Sequence, residues 1–261
     1  MIFTDIFSIQ INDLVIIMEL TEIIMDSIIY PTQNIKALAI YLLIGIIVGV
    51  VAFATGASSV FASVLTGAKH GINGAGIIVL LIGIILLLAL YCFVQGYGMD
   101  IIKTGILRTQ EAPGIDFERQ LTNGFNCLIV TIVYMIIPLA LTYIIGLFLR
   151  SWLTMIIALI LFVIFMFAMT MAQCRLADTN NLGYALNVQG AISDMQNIGV
   201  PKVVMTIVAV LLVDMVIQLI VGGIFGLFGS QMLTSMITSL VSIYLIFYQN
   251  RAVGLLYSEK R

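Results

Sequence analysis

Few residues in this sequence could do chemistry, and they lie far apart. Asp214 is the single charged residue between positions 203 and 250, and Gln218 follows it one helical turn later. A carboxyl in such apolar company must find a hydrogen-bond partner or hold its proton. Two roles are open to it: a proton- or ion-responsive group in a transport path, or a buried acid tying helices together. Thr206, Val210, Asp214, Gln218, Gly222 and Gly226 fall on one i, i+4 row. A row of polar and small residues on an otherwise apolar helix is expected to face other helices.

The remaining reactive residues do not assemble into a known catalytic pattern. His70 is the sole histidine, stands beside Lys69 and cannot build a metal site alone. A Ser/His hydrolase would need a histidine inside an apolar segment, and there is none. Gly96-Tyr97-Gly98-Met99-Asp100 is similar to the Gly-x-Gly-Asp of intramembrane aspartyl proteases, but with one residue too many. That chemistry needs two carboxylates sharing a proton, and Asp214 is the only partner on offer. Cys92, Cys127 and Cys174 sit in or beside apolar runs without framework spacing, and read as small buried hydrophobes. No P-loop, dinucleotide fingerprint or acidic run for Mg²⁺ occurs. The expectation is therefore a protein that is not an enzyme, without catalytic, cofactor-binding or metal-binding residues. With a net charge of −2, it lacks the basic footprint of a nucleic-acid partner.

The elements that hold these residues follow from where charge is absent. Of 261 residues 62% are hydrophobic and only 9% charged, against about 25% charged in a soluble domain. A bilayer accepts such a chain, because each helix satisfies its own backbone hydrogen bonds. Residues 37–68, 71–99, 120–149 and 151–174 carry no charge. Each holds one span of about 20 residues. The run 203–250 is long enough for two and breaks at Gly229-Ser230-Gln231. The expected fold is an all-α, polytopic transmembrane bundle of six spans, near 38–60, 75–98, 122–148, 152–174, 203–227 and 232–251.

With that count, Lys36, Lys103, Arg108, Arg119, Arg175, Lys202, Arg251, Lys260 and Arg261 fall on one side, and Lys69 and Arg150 on the other. The positive-inside rule then puts both termini in the cytoplasm of a cell-membrane protein. Amphipathic interfacial helices are expected near 99–110 and 182–198. In the second, Leu182, Ala185, Val188, Ile192, Met195 and Ile198 alternate with Asn187, Gly190, Asp194 and Asn197. Residues 1–36 read as an apolar extension followed by an amphipathic helix over 19–29, which Pro31 should end. Packing faces are expected at Gly45-x-x-x-Gly49, at Gly222-x-x-x-Gly226, and along Asn126, Val130, Tyr134, Pro138, Thr142 and Gly146, where Pro138 should kink the helix.

One ordered set of residues carries a resemblance. Gln95-Gly-Tyr-Gly-Met-Asp-Ile-Ile-Lys-Thr-Gly-Ile-Leu-Arg108, Glu111-Ala-Pro-Gly-Ile-Asp-Phe117, Gly124, Tyr134-Met-Ile-Ile-Pro138 and Tyr184-Ala-Leu-Asn-Val-Gln-Gly190 together resemble the domain of unknown function 4013 family. These are uncharacterised multi-pass membrane proteins, common in methanogenic archaea. The likeness spans roughly residues 20–250. Phe117 stands where family members often have Trp. The resemblance implies a topology and brings no site residues. Function stays open between a structural or assembly partner of another membrane protein or of a second copy, a small-solute or lipid transporter with Asp214 and Gln218 lining a cavity, and, third, an intramembrane enzyme that would need Asp100 and Asp214 within a few ångströms of each other.

Overall fold

The computed structural model describes residues 2–65 and 74–260. Among the described residues the chain is helical: α1 (Ile2–Gln33), α2 (Ile35–Leu65), α3 (Gly74–Ile106), α4 (Phe117–Gly146), α5 (Ser151–Thr179), α6 (Leu182–Ala185), α7 (Val188–Ile198), α8 (Val200–Gly226) and α9 (Gln231–Ser258). The segment 66–73, with Lys69 and His70, lies outside the described residues.

Five stretches are long and apolar enough to cross a membrane: Ile35–Gly56, Gly76–Ile106, Phe117–Gly146, Ser151–Thr179 and Val200–Gly226. The sixth expected span falls on α9, which has the length but is less apolar. Thr234, Ser235, Thr238, Ser239 and Ser242 dilute its first half, and each hydroxyl donates to the carbonyl four residues back. Those polar groups are thereby satisfied within their own helix.

Short polar side chains set the helix starts. Asp116 accepts the Arg119 N–H at 3.1 Å to open α4, and Asn181, Asn187 and Ser230 cap α6, α7 and α9 in the same way. Caps of this kind are worth about 1 kcal/mol each. Asn180, left-handed at φ 51°, closes α5.

Three expectations about the connecting segments change. No separate interfacial helix follows the second span, because α3 runs unbroken to Ile106. Its amphipathic end packs inward, burying Met99, Ile101, Ile102 and Ile106 against neighbouring helices rather than lipid headgroups. The segment 182–198 is two helices broken at Leu186 and Asn187, folded back on the end of α5. Its Asp194, expected on the outer polar face, is buried. Pro31 does not end α1, which continues to Gln33 and is separated from α2 only by Asn34; the chain is also helical from Ile2 onward.

Helix α3 is the hub, packing against α2, α4, α5 and α9. Glycines allow its closest crossings. A Cβ on Gly96 would run into the carbonyl of Gln120, and one on Gly124 into the carbonyl of Cys92, so α3 and α4 meet backbone to backbone. Gly105 and Gly254 do the same for α3 and α9, where a Cβ on Gly105 would lie 2.8 Å from the Gly254 Cα. Close approach through small residues is the main packing device between helices in lipid.

The core is concentrated at one end of the bundle. That end carries Lys36, Lys103, Arg108, Arg119, Arg175, Lys202, Arg251 and Lys260, while Arg150 alone among the described basic residues lies at the other. Tyr97, Tyr134, Met171, Val203 and Leu256 are buried towards this basic end. Towards the far end Phe53, Phe148, Met155, Leu219 and Leu227 stand exposed, an apolar surface suited to lipid.

Candidate functional site

The basic end gathers its charges into cross-helix clusters. At the α3–α4 junction, the Asp100 carboxylate accepts from Arg119 Nη2 at 3.1 Å, Gln120 Nε2 at 3.2 Å and Asn123 Nδ2 at 3.3 Å. Arg119 and Gln120 also donate to the Gly114 carbonyl, at 2.8 and 3.2 Å, which holds the loop over the helix ends. Tyr97 donates to the Pro113 carbonyl from the other side at 3.3 Å.

The second cluster is the most deeply buried. Arg175, 2% exposed near the end of α5, donates from Nη1 to Asp194 Oδ2 at 2.6 Å and from Nε to the Tyr184 carbonyl at 3.1 Å. Its guanidinium lies 3.6 Å from the centre of the Tyr184 ring, a cation–π contact. Gly190 leaves room for it, since a Cβ there would sit 2.6 Å from Nη2. Asp194 also accepts from Tyr257 at 2.9 Å and pairs with Lys260 at 2.7 Å. Helices α5, α7 and α9 are thereby joined through one carboxylate. Burial alone would raise the Asp194 carboxyl, but hydrogen bonds from Lys260, Tyr257 and Arg175 outweigh it and hold the group below the usual carboxylate range. Burial and the bond to Asp194 push the Tyr257 phenol up.

In the third cluster, fully buried Arg251 of α9 donates from Nε to Asp26 at 2.8 Å and from Nη1 to the Thr109 carbonyl at 2.6 Å. It lies 4.6 Å from the Tyr30 ring centre. Gln110 donates to the second Asp26 oxygen at 2.9 Å. These bonds overcome the upward push of burial and lower the Asp26 carboxyl. Lys202 adds a pair of ion contacts to Glu19 and Glu259. A cleft of about 320 Å³ opens beside this cluster, walled by Glu19, Glu22, Asp26, Arg108, Arg251 and Glu259.

Asp214 and Gln218 lie elsewhere. Gln218 donates to Asp214 at 3.1 Å, one turn along α8, with Gln218 exposed and Asp214 half-buried. Neither lines the acid-walled cleft, nor the apolar cleft that Leu38, Ile217, Val221, Leu240 and Tyr244 form between α2, α8 and α9. The row expected to face inward does so only in part. Thr206 and Val210 are buried, whereas Gly226 is exposed, and a Cβ on Gly222 or Gly226 would meet nothing within 4 Å. The reason is geometric: at 3.6 residues per turn, each i, i+4 step advances about 40°, so five steps carry a row to the other side of its helix. The α4 row behaves alike. Val130, Tyr134 and Pro138 are buried at its middle, Asn126 and Thr142 are half-buried, and Gly146 is exposed. Helix α4 runs on through Pro138 to Gly146. Gly45 lies tight against the Ile243 side chain of α9, while Gly49 makes no close approach.

Of the charged groups at the centres of the three clusters, Asp100 stands out in the sequence as a possible catalytic acid, whereas Arg175 and Arg251 do not stand out. Arg175 and Arg251 counted only as basic residues flanking apolar runs. Their signal was the small and apolar residues continuing past each of them, Leu176-Ala177 and Ala252-Val253-Gly254, which places the charge inside a packed helix rather than in a loop.

Comparison with known proteins adds a family. The family model described as Protein of unknown function (DUF4013) matches residues 77–226, more than half of the chain. The chain belongs to this family. No curated protein and no solved structure matches it. The DUF4013 match runs from α3 to α8 and contains the Asp100 cluster with Arg119 and the Arg175–Asp194 pair of the second cluster. Asp26 of α1, Arg251 and Tyr257 of α9, and Lys260 just beyond it lie outside the match. The sequence marks of the family resemblance acquire structural reasons. Gly96 and Gly124 are the two sides of the α3–α4 crossing, Tyr97 and Pro113 are bonded to each other, and Asp116 caps α4.

Among the described residues no group of three or more His, Cys, Asp or Glu side chains could hold a metal ion. Cys92, Cys127 and Cys174 are buried free thiols. The three clusters pair Arg119, Arg175 and Arg251 each with a carboxylate of another helix. Their chemistry is that of clamps between helices.

Proposed function

We propose that this DUF4013 member is a non-enzymatic, multi-pass protein of the cytoplasmic membrane that serves as a structural or assembly partner for other membrane components. Both termini and the ion-paired end lie in the cytoplasm. The observation that carries this reading is the commitment of the buried charges: Arg175 to Asp194, and Arg251 to Asp26, each across helices. A transporter or enzyme keeps its costly polar groups facing a cavity or a substrate, whereas Arg175 and Asp194 lock helix ends away from any cleft, and Arg251 and Asp26, which wall the acid-lined cleft, are already paired with each other. Asp100, the only candidate partner for Asp214 in acid–acid chemistry, is held by Arg119, Gln120 and Asn123.

The test is affinity purification of the tagged, full-length protein from native membranes in mild detergent, followed by identification of everything that remains bound. A stoichiometric membrane-protein partner, or a second copy of the chain, is the expected result. A monomer that carries a small solute, together with a solute-uptake defect in Asp214→Asn, overturns the reading in favour of transport. Reporter fusions check the orientation, which fails if a periplasm-dependent reporter is active at the C-terminus.

A further inference from the structure

The cleft at the basic end has charges that the fold answers only in part. Helices α1 and α9 run antiparallel along it: Glu19 and Glu259 meet at Lys202, and Asp26 meets Arg251 about 10 Å further on. One end is therefore rich in carboxylate. Glu19 and Glu259 share the single ammonium of Lys202, and exposed Glu22 has no hydrogen bond or ion pair among the described residues. The other end holds unused donors. Arg251, its side chain 0% exposed, binds Asp26 through Nε and the Thr109 carbonyl through Nη1, which leaves Nη2 without an acceptor among the described residues. In a planar guanidinium the third nitrogen points between the two bonded groups. Asp26 and Gln110, the residue after Thr109, both wall the cleft, as does Arg251 itself. Arg108 crosses the same cleft to Ser258, bonding through Nε at 3.0 Å, and its terminal nitrogens have no partner among the described residues.

We infer that this cleft binds a small zwitterion, whose oxyanion is taken by Arg251 and Arg108 and whose ammonium group is taken by Glu22 and Glu19. Both charges are needed. A buried guanidinium N–H left without an acceptor is costly, so Arg251 calls for an oxyanion. A lone oxyanion would be repelled by the four carboxylates that wall the cleft, and an attached ammonium group turns that repulsion into attraction. The volume of about 320 Å³ lies at the small end of ligand pockets. Ile23 and Leu255 line the cleft from the packed core that α1, α8 and α9 share, so it ends on side chains and does not cross the bundle. A free solute and a lipid headgroup offer the same pair of charges. Met25 and Ile29, exposed on α1, put the cleft within reach of lipid as well as of water.

Binding of such a ligand is independent of whether the protein assembles with others. The experiment is thermal unfolding of the full-length protein, stripped of lipid in detergent, with phosphoethanolamine, inorganic phosphate or ethanolamine added. At about one hundred times its dissociation constant, a ligand of the folded state raises the unfolding temperature of a chain this size by roughly 5–10 °C. Phosphoethanolamine is expected to do so, and neither half of it alone. Arg108→Gln and Glu22→Gln change exposed side chains, so each should leave the unliganded unfolding temperature unchanged while weakening binding about tenfold or more. Reconstitution into phosphatidylethanolamine vesicles, against phosphatidylglycerol vesicles, separates the two sources. Stabilisation there that Glu22→Gln removes assigns the cleft to a headgroup, and stabilisation by the soluble molecule alone assigns it to a free solute. Equal stabilisation by phosphate alone overturns the proposal, as does a shift that both variants retain. Absence of any shift with either the solute or the lipid overturns it too.

Discussion

The Arg175–Asp194 pair offers the sharpest test of how the basic end is held. Replacing Asp194 with Asn keeps the size and one acceptor oxygen but removes the charge. Arg175, its side chain 3% exposed, then keeps only neutral partners: the amide oxygen and the Tyr184 carbonyl and ring. Lys260 loses its carboxylate as well, although it is partly exposed and water can take over there. Breaking a buried pair from one side costs about 3–5 kcal/mol, because a charge is left buried without compensation. For a chain of this size each kcal/mol corresponds to about 2–4 °C, so Asp194→Asn should lower the unfolding temperature in detergent by roughly 10 °C. The double variant Arg175→Met, Asp194→Leu removes both charges, fills the space with apolar atoms and should recover most of that loss. The assay is thermal unfolding of wild type, Arg175→Met, Asp194→Leu and the double variant, read as a double-mutant cycle, with Asp194→Asn measured beside them. An Asp194→Asn protein within about 0.5 kcal/mol of wild type, or a double variant as unstable as the sum of the singles, would refute the clamp.

Three more expectations follow from the same geometry. Gly96→Ala and Gly124→Ala push a methyl into a facing backbone carbonyl, which cannot rotate away. Each should cost more than the usual 1–3 kcal/mol of overpacking, whereas Gly222→Ala in the same unfolding assay should be nearly neutral. The Asp26 and Asp194 carboxyls titrate below their ordinary range when folded. Their contribution is therefore present above the unfolded value near 3.9 and is lost as pH falls through the lower folded values. Unfolding temperature should hold from about pH 5 to 8 and drop below about pH 4, and a loss already at pH 6 would contradict the assignment. Tyr134→Phe removes the hydroxyl that donates to the Ala185 carbonyl at 3.1 Å and ties α4 to α6. A loss of about 1 kcal/mol is expected, with faster amide exchange in α6 and α7.

The sequence by itself determined which segments are long and apolar, where the chain turns between them, and which ends gather basic residues. These are local properties: the cost of placing a charge in lipid depends on the residue and its depth, so charge-free runs mark helices without reference to neighbours. It also located the α3–α4 motif, whose glycines, tyrosine and acids stand close along the chain. The tertiary structure alone decided which face each helix turns inward. An i, i+4 row on α8 contains no statement of where α9 lies, and its slow rotation takes Thr206 inside and Gly226 outside. Partner choice is non-local in the same way. Asp194 reads as one more polar residue on an amphipathic helix until α7 folds back against α5, and Asp26 and Arg251 come from opposite ends of the chain. Asp214, the most conspicuous residue in the sequence, is the one the fold leaves half uncovered, because α8 packs on one side only.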